Sequence, residues 1–272
     1  MTEAANSDDK YTLRSLGRAL DVLQALGSAS GMGMSVGEVA DAIGVSRSTA
    51  FSLLQTLVAR GFVSDNRLGG ARLYRLGLAL VHLGDQAAAG LGITQIATPV
   101  LQQLTDTTQL TSRLAVLDDG YAVAISRVDA PGPFRMSGSL GRRELPHCSA
   151  VGKSLMMRLP EEKIMAILTR LGMPRRTEQT ITSQAELIAD LRLAAVRGYA
   201  FDNEEDNVGV ICIGAAIYDR TGEAAAALSV TTMKLGRSED DMHQLGFVVR
   251  SYADRISQLL GGPAHAALEP VA

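Results

Sequence analysis

The sequence predicts an α+β chain: a small helical head, an apolar connecting helix, and a larger C-terminal region built on an antiparallel sheet. Three observations predict it. Two short capped helices with a glycine between them precede a hairpin-like stretch near the N-terminus. Basic residues gather in that stretch although the whole chain carries a net charge of −3. Further on, four strand-like runs meet in pairs at tight turns, with helical segments between the pairs. A length of 272 residues, 46% of them hydrophobic, is enough for one large or two ordinary cores.

The first elements follow from spacing. MTEAANSDDK is acidic and polar, so residues 1–11 read as a leader and as neither a secretory signal nor a transit peptide. In TLRSLGRALDVLQAL, Leu13, Leu16, Leu20, Leu23 and Leu26 recur three or four apart and mark a helix. Ser35 precedes Glu38 by three, a capping box that opens VGEVADAIG, with Val39, Ala40 and Ile43 inward and Gly44 ending it. Ser46 caps RSTAFSLLQTLVAR, whose Leu53, Leu54 and Leu57 point inward, and Gly61 closes it. FVSDNRLGGARLYRL then reads as a β-hairpin turning at 66–70. Two helices with a tight glycine turn and a following hairpin make a winged helix-turn-helix over 12–75.

Charge supports the same reading. Between Ser46 and Arg75 stand Arg47, Arg60, Arg67, Arg72 and Arg75 against Asp65 alone, which is the asymmetry that phosphate contacts need. Ser46 is a cap first and a phosphate contact second. Arg47, Ser48 and Thr49 at the helix start, with Phe51 and Ser52 one turn on, are expected at base edges in the major groove of double-stranded DNA. Arg47 suits guanine and Phe51 a thymine methyl. Arg67 and Arg72 in the wing are expected at phosphate or the minor groove. The alternative is a helical domain that packs on another protein, its arginines merely solvated.

Residues 76–92 read as a linker helix. Leu78, Val81 and Leu83 with few charges call for a partner surface, either a self-association seam or the core of a larger domain. Glycines at 84, 90 and 92 predict a break, and Pro99 either starts or kinks the next helix. In 93–262, TSRLAVLD and YAVAISRV flank a turn at Asp118–Gly120, and GVICIGAAIYD and AAAALSVTT flank one near Arg220–Gly222. Helices are expected at AVGKSLMMRL, at EEKIMAILTRLG, at AELIADLRLAAVR behind a Ser183–Glu186 box, and from Ser238 to Gly261 with Met242, Leu245, Val249, Tyr252, Ile256 and Leu259 inward. Residues 263–272 read as a flexible tail.

Composition removes several function classes. No run approaches the ~20 apolar residues of a membrane span, so no membrane partner is expected. Two cysteines, Cys148 and Cys212, are too few for a disulfide scaffold, and a reducing cytoplasm is the natural compartment. Neither a metal nor a cofactor is expected, since no Cys/His cluster has zinc spacing. The absence of tryptophan argues against stacking platforms for single strands.

HCSAVGKS, residues 147–154, needs its own reading. A phosphate-binding loop would require glycine where His147 stands, so the nucleotide reading fails. Cys148 beside His147 has the makings of a thiol enzyme, but adjacent extended residues point to opposite faces and no orienting acid is in sight. The third reading is that Ser149 caps a helix at Ala150, whose first amides converge on a small anion. Lys153 is then expected on the solvated outer face, with Ser154 and Leu155 in packing and His147 a hydrogen-bonded structural residue.

Five stretches in this order, SLGRALDVLQAL, VSRSTAFSLLQTLVARGFV, LGRRELPHCSAVGKSLM, GYAFDNEE and GVICIGAAIYDRTGEAAAALSV, resemble the IclR family of bacterial transcription regulators. The resemblance implies a winged helix-turn-helix, a linker helix and a GAF/PAS-like effector domain with flanking helices. It also implies palindromic operators bound by a homodimer or a dimer-of-dimers tetramer, with a small metabolite, often an organic acid, controlling repression or activation. The positions matching its effector site are Ala150, Val151, Asp202, Cys212, Ser229 and Thr231, with Met136 and Leu140 as apolar wall. Ser229 and Thr231 lie two apart on a strand and so share a face. Taken singly, Ser229 and Thr231 are also ordinary strand packing, Asp202 a turn cap and Cys212 a core filler. Beyond Asp202, the acidic run DNEED reads as solvated. Phe51, Ser52 and Ile211 depart from the family's common residues, so neither the operator nor the charge of the ligand is inherited. No catalytic residue is assigned. Two other classes stay open: an enzyme with a DNA-binding head working through Cys148 and His147, and a DNA-bound regulator without a ligand.

Overall fold

A computed structural model of the chain describes residues 13–29, 33–68, 71–89, 92–131 and 139–265. The leader, Met136, the wing tip at 69–70 and the tail beyond 265 lie outside the described residues. The chain divides into two compact units, Met1–Gly90 and Leu91–Ala272. Among the described residues no helix is long and apolar enough to cross a membrane.

The first unit holds α1 (Arg14–Ser28), α2 (Val36–Ala42), α3 (Arg47–Ala59), β1 (Val63–Leu68), β2 (Ala71–Leu76) and α4 (Ala79–Ala89). Both caps form as the spacing predicts: Ser35 and Glu38 close a reciprocal box, and Ser46 accepts from the Thr49 amide. Strands β1 and β2 pair antiparallel down to Leu68 against Ala71, so Asn66 and Arg67 belong to the strand and the turn is shorter than predicted. Met34 adds a bridge to Tyr74. The core gathers Val22, Leu26, Val39, Ala40, Ala50, Leu54, Val63 and Tyr74. The α1 stripe divides: Leu26 is buried and Leu23 half-buried, whereas Leu13, Leu16 and Leu20 are exposed. On or beside α4, Leu78, Val81 and Leu83 are exposed too.

The second unit is one six-stranded antiparallel sheet, ordered β5-β4-β3-β8-β7-β6. Its strands are β3 (Thr111–Asp118), β4 (Tyr121–Val128), β5 (Arg143–Glu144), β6 (Ala200–Asn203), β7 (Val210–Tyr218) and β8 (Ala224–Met233). The four longer ones are those the sequence marks; β5 and β6 are two and four residues, too short for a period to register. α5 (Ile93–Thr108) and α9 (Glu239–Leu259) cover one face around Leu101, Leu114, Ile213, Leu228, Val249 and Ile256. Pro99 is accommodated inside α5, and Leu259 proves exposed. α6 (Ala150–Met156), α7 (Glu161–Leu171) and α8 (Gln184–Arg197) cover the other face. Ser183 caps α8 through the Glu186 amide, without the return bond of a full box.

Alternation places two polar rows on that second face. Cα partners run Thr111, Thr231, Cys212, Asp202 across four strands, and next to them Arg113, Ser229, Gly214, Ala200. α6 lies directly on the second row: a Cβ at Gly214 would sit 2.8 Å from the Ala150 carbonyl oxygen. At Gly152 a Cβ would sit 2.4 Å from Pro146 Cα. That glycine of the GKS triplet therefore serves close backbone packing.

Candidate functional site

In the first unit the outward face of α3 carries Arg47, Ser48, Phe51 and Ser52, all exposed, with Thr49 half-buried. Ser46 is occupied as a cap, its hydroxyl also 2.9 Å from Ser48 Oγ and 2.8 Å from Thr49 Oγ1. Ser52 Oγ folds back to donate to the Ser48 carbonyl at 3.0 Å. The side chains left to reach outward are Arg47 and Phe51, the latter 44% exposed. In the hairpin Arg67 pairs in register with Arg72. Arg72 Nε donates to Asp65 Oδ2 at 2.6 Å and its guanidinium lies over the Tyr74 ring. The one acid of the basic stretch is thus spent on orienting an arginine.

In the second unit a cleft of about 220 Å³ opens beside α6, over the first polar row. Asp202, Cys212 and Thr231 line it, with Arg113 from β3, Arg142, Arg143 and Glu144 at β5, Leu145, Ser149, Arg176, Asp206, Asn207 and Val210. Cys212 Sγ lies 3.4 Å from Thr231 Oγ1. Asp202 Oδ1 accepts the Glu205 amide at 2.8 Å and the Asp206 amide at 3.3 Å. Burial pushes the Asp202 carboxyl up to about 7 in spite of these bonds. Arg113 is 9% exposed; its Nη1 donates to Glu144 Oε1 at 2.6 Å, while its Nε has no acceptor among the described residues. Ser229, its cross-strand partner, is wholly buried and its hydroxyl likewise lacks a partner there.

Lys153 departs from expectation. It is 1% exposed, and its ammonium donates to Asp190 Oδ2 at 2.8 Å and to Glu205 Oε1 at 2.7 Å. Glu205 in turn supplies an amide to Asp202, so α6, α8 and the cleft acid form one network. Glu205 is buried, against the expectation of a solvated acidic run, and Glu204 pairs with Lys234.

The His147–Cys148 pair does not assemble a nucleophile and base. His147 Nε2 lies 3.2 Å from the Pro174 carbonyl, so that nitrogen carries the proton. Desolvation holds the imidazole below its ordinary value. The only hydrogen bond of Cys148 Sγ among the described residues is the one it donates to the Leu145 carbonyl, and burial pushes its thiol up to about 12, far from a thiolate. Cys212 is pushed to about 12 as well. Among the described residues no group of three His, Cys, Asp or Glu side chains has the arrangement to hold a metal ion.

Comparison with known proteins decides the family. The IclR helix-turn-helix domain matches residues 15–67, and the C-terminal domain of the bacterial transcriptional regulator IclR matches residues 85–258. The chain belongs to the IclR family. It is 33% identical to the HTH-type transcriptional repressor AllR of Escherichia coli K12, over 93% of this chain and 92% of that one. It is 32% identical to the HTH-type transcriptional regulator KdgR of Dickeya chrysanthemi, over 90% of this chain and 79% of the relative. The crystal structure of Thermotoga maritima IclR superposes with a TM-score of 0.77 at 28% identity, covering 91% of this chain and 98% of that one. The helix-turn-helix head and the α+β C-terminal domain are the IclR arrangement.

Within this IclR chain the expected effector residues do not all meet. Asp202, Cys212 and Thr231 share the cleft wall. Ala150 and Val151 are buried and off the lining, and Gly152 spends its amide on Ser149. Ser229 shares the face of Thr231 as alternation requires, but α6 covers its row. Leu140 is 54% exposed and forms no wall of the cleft. Met136 lies outside the described residues. Sequence reading missed the charged part of the lining, Arg113, Arg142, Arg143, Glu144, Arg176 and Asp206; for Arg113 a signal was present, a cation in the middle of the apolar strand TSRLAVLD.

Proposed function

We propose that this IclR-family regulator is a metabolite-controlled repressor working on the chromosome in the cytoplasm. Two copies of α3 enter adjacent major grooves of a palindromic operator, with Arg47 and Phe51 at base edges and Arg67 and Arg72 holding the wing to the backbone. The exposed apolar surfaces, Leu13, Leu16 and Leu20 on α1 and Leu78 and Val81 at α4, support self-association as a homodimer, which can pair again into a tetramer. A small ligand occupies the cleft lined by Asp202, Cys212 and Thr231 and shifts the operator-binding equilibrium. Such coupling is typically about 1–3 kcal/mol, enough for a 5- to 150-fold change in affinity. The reading is a regulator and not an enzyme, because among the described residues no base hydrogen-bonds either thiol and burial keeps both protonated.

The observation that carries this reading is the charge-lined cleft on the sheet face opposite the main core. The experiment pairs two measurements on full-length protein. Arg47→Ala is expected to weaken binding to the protein's own upstream DNA by about 10- to 100-fold, the worth of one bidentate base contact. Ligand-induced thermal stabilisation should persist in that variant. Unchanged DNA affinity would remove α3 from the interface, and joint loss of both properties would argue against separable sites.

A further inference from the structure

We infer that α3 reads its operator through pyrimidine methyl groups: Phe51 is the specificity-determining residue, and it takes a thymine, or a 5-methylcytosine in its place, by the C5 methyl. This deepens the proposed function and rests on α3 being the helix that enters the major groove. The outward face of α3 carries Arg47, Ser48, Phe51, Ser52 and Thr56. Its hydroxyls are engaged within the helix. Ser46 Oγ lies 2.9 Å from Ser48 Oγ and 2.8 Å from Thr49 Oγ1. Ser52 donates its O–H to the Ser48 carbonyl at 3.0 Å, and Thr56 donates its own to the Ser52 carbonyl at 2.9 Å. Gln55, one turn after Phe51, donates its side-chain amide to the Tyr74 hydroxyl at 3.3 Å. Arg47 leans toward α2, where a Cβ on Gly37 would sit 3.5 Å from its Nη2.

Phe51 stands clear in the middle of that face, 44% exposed. A single exposed apolar side chain is ordinary on a protein surface. This one is flanked by hydroxyls and an amide already in use, so the centre of the face offers a groove an apolar contact and little hydrogen bonding. In the major groove the C5 methyl of thymine stands beside the O4 acceptor, whereas cytosine shows an N4 amino donor and no methyl. A benzyl side chain gains by covering the methyl and gives nothing to the amino group, so thymine is preferred. Methylation of cytosine at C5 puts the same apolar group at the same place. Operator binding is thereby sensitive to cytosine methylation at the base that Phe51 meets.

The test uses the full chain and the segment of its own upstream DNA that footprinting shows it to protect. Each thymine of that segment is replaced in turn by deoxyuridine, which loses the methyl and keeps the base pair. At one symmetry-related pair of thymines the loss should weaken binding about 4-fold per half-site, the worth of one buried methyl, and about 16-fold when both are changed. Phe51→Ala, a change on the exposed face of α3, should bind the thymine and deoxyuridine duplexes equally. A C·G pair at the same position should bind more tightly once its cytosine is C5-methylated, in wild type only. Silence of every deoxyuridine overturns the inference, as does a loss that persists in Phe51→Ala or a C5 methylation without effect. If Arg47→Ala still weakens binding in any of these cases, α3 remains at the bases and only methyl reading falls. If neither Arg47→Ala nor Phe51→Ala changes affinity, the proposed DNA interface falls together with the inference.

Discussion

Asp202 is a carboxyl group held in two roles: its Oδ1 staples the turn at 205–206, and its surroundings resist its charge. In the unfolded chain such an acid loses its proton near pH 3.9, whereas in the fold it keeps it to about 7. Between those values the native state binds the extra proton, so this group favours the fold at low pH and the benefit is lost as pH rises through 7. Asp202→Asn removes the titration but keeps an acceptor for the turn. The melting temperature of the variant minus that of wild type should therefore rise from pH 5 to pH 8. A flat or falling difference would show that the buried charge costs nothing. At this scale family resemblance made Asp202, Cys212 and Thr231 legible in the sequence, and alternation only the shared face of Ser229 and Thr231. Ser229 was legible as to face and not as to access, because the backbone of α6 settles onto Gly214 beside it, a long-range contact no local pattern encodes. Leu140 was taken for a wall on family resemblance, and its segment leaves it in solvent.

At the scale of elements, α6 explains why Lys153 was misread. All seven residues of this helix are buried, so it has no solvated face for a lysine to occupy. Its ammonium is instead matched by Asp190 of α8 and by Glu205, both fixed by other contacts. Removing one member of a buried ion network leaves the others uncompensated, at about 3–5 kcal/mol. Lys153→Met should lower the stability measured by urea unfolding by that amount, and Glu205→Gln added to it should recover part of the loss. A variant as stable as wild type would reduce the network to decoration. Helix starts were the most legible elements, since Ser35, Ser46, Ser149, Ser183 and Ser238 each cap where spacing places them. The α1 leucines were legible as a stripe only; Leu13, Leu16 and Leu20 find no cover within their own unit.

For the whole molecule, an average charge of −3 conceals a basic head and an acidic remainder, and only local counting exposes it. The α+β class followed from hairpin turns such as Asp119–Gly120, whose positive φ values suit a tight reversal. The edges of the sheet did not, because β5 and β6 are too brief to carry a period. Both cysteine thiols of the chain lie in the second unit, shielded and firmly protonated. An alkylating reagent, which reacts with thiolates, should leave the native protein untouched for hours and take up two equivalents in urea. Rapid native labelling would mean that this half breathes open. The molecule thus carries its own stopwatch: the pace of sulfur capture times the opening of the sensing half alone, and a ligand that tightens the sheet should slow that clock without any label being engineered in.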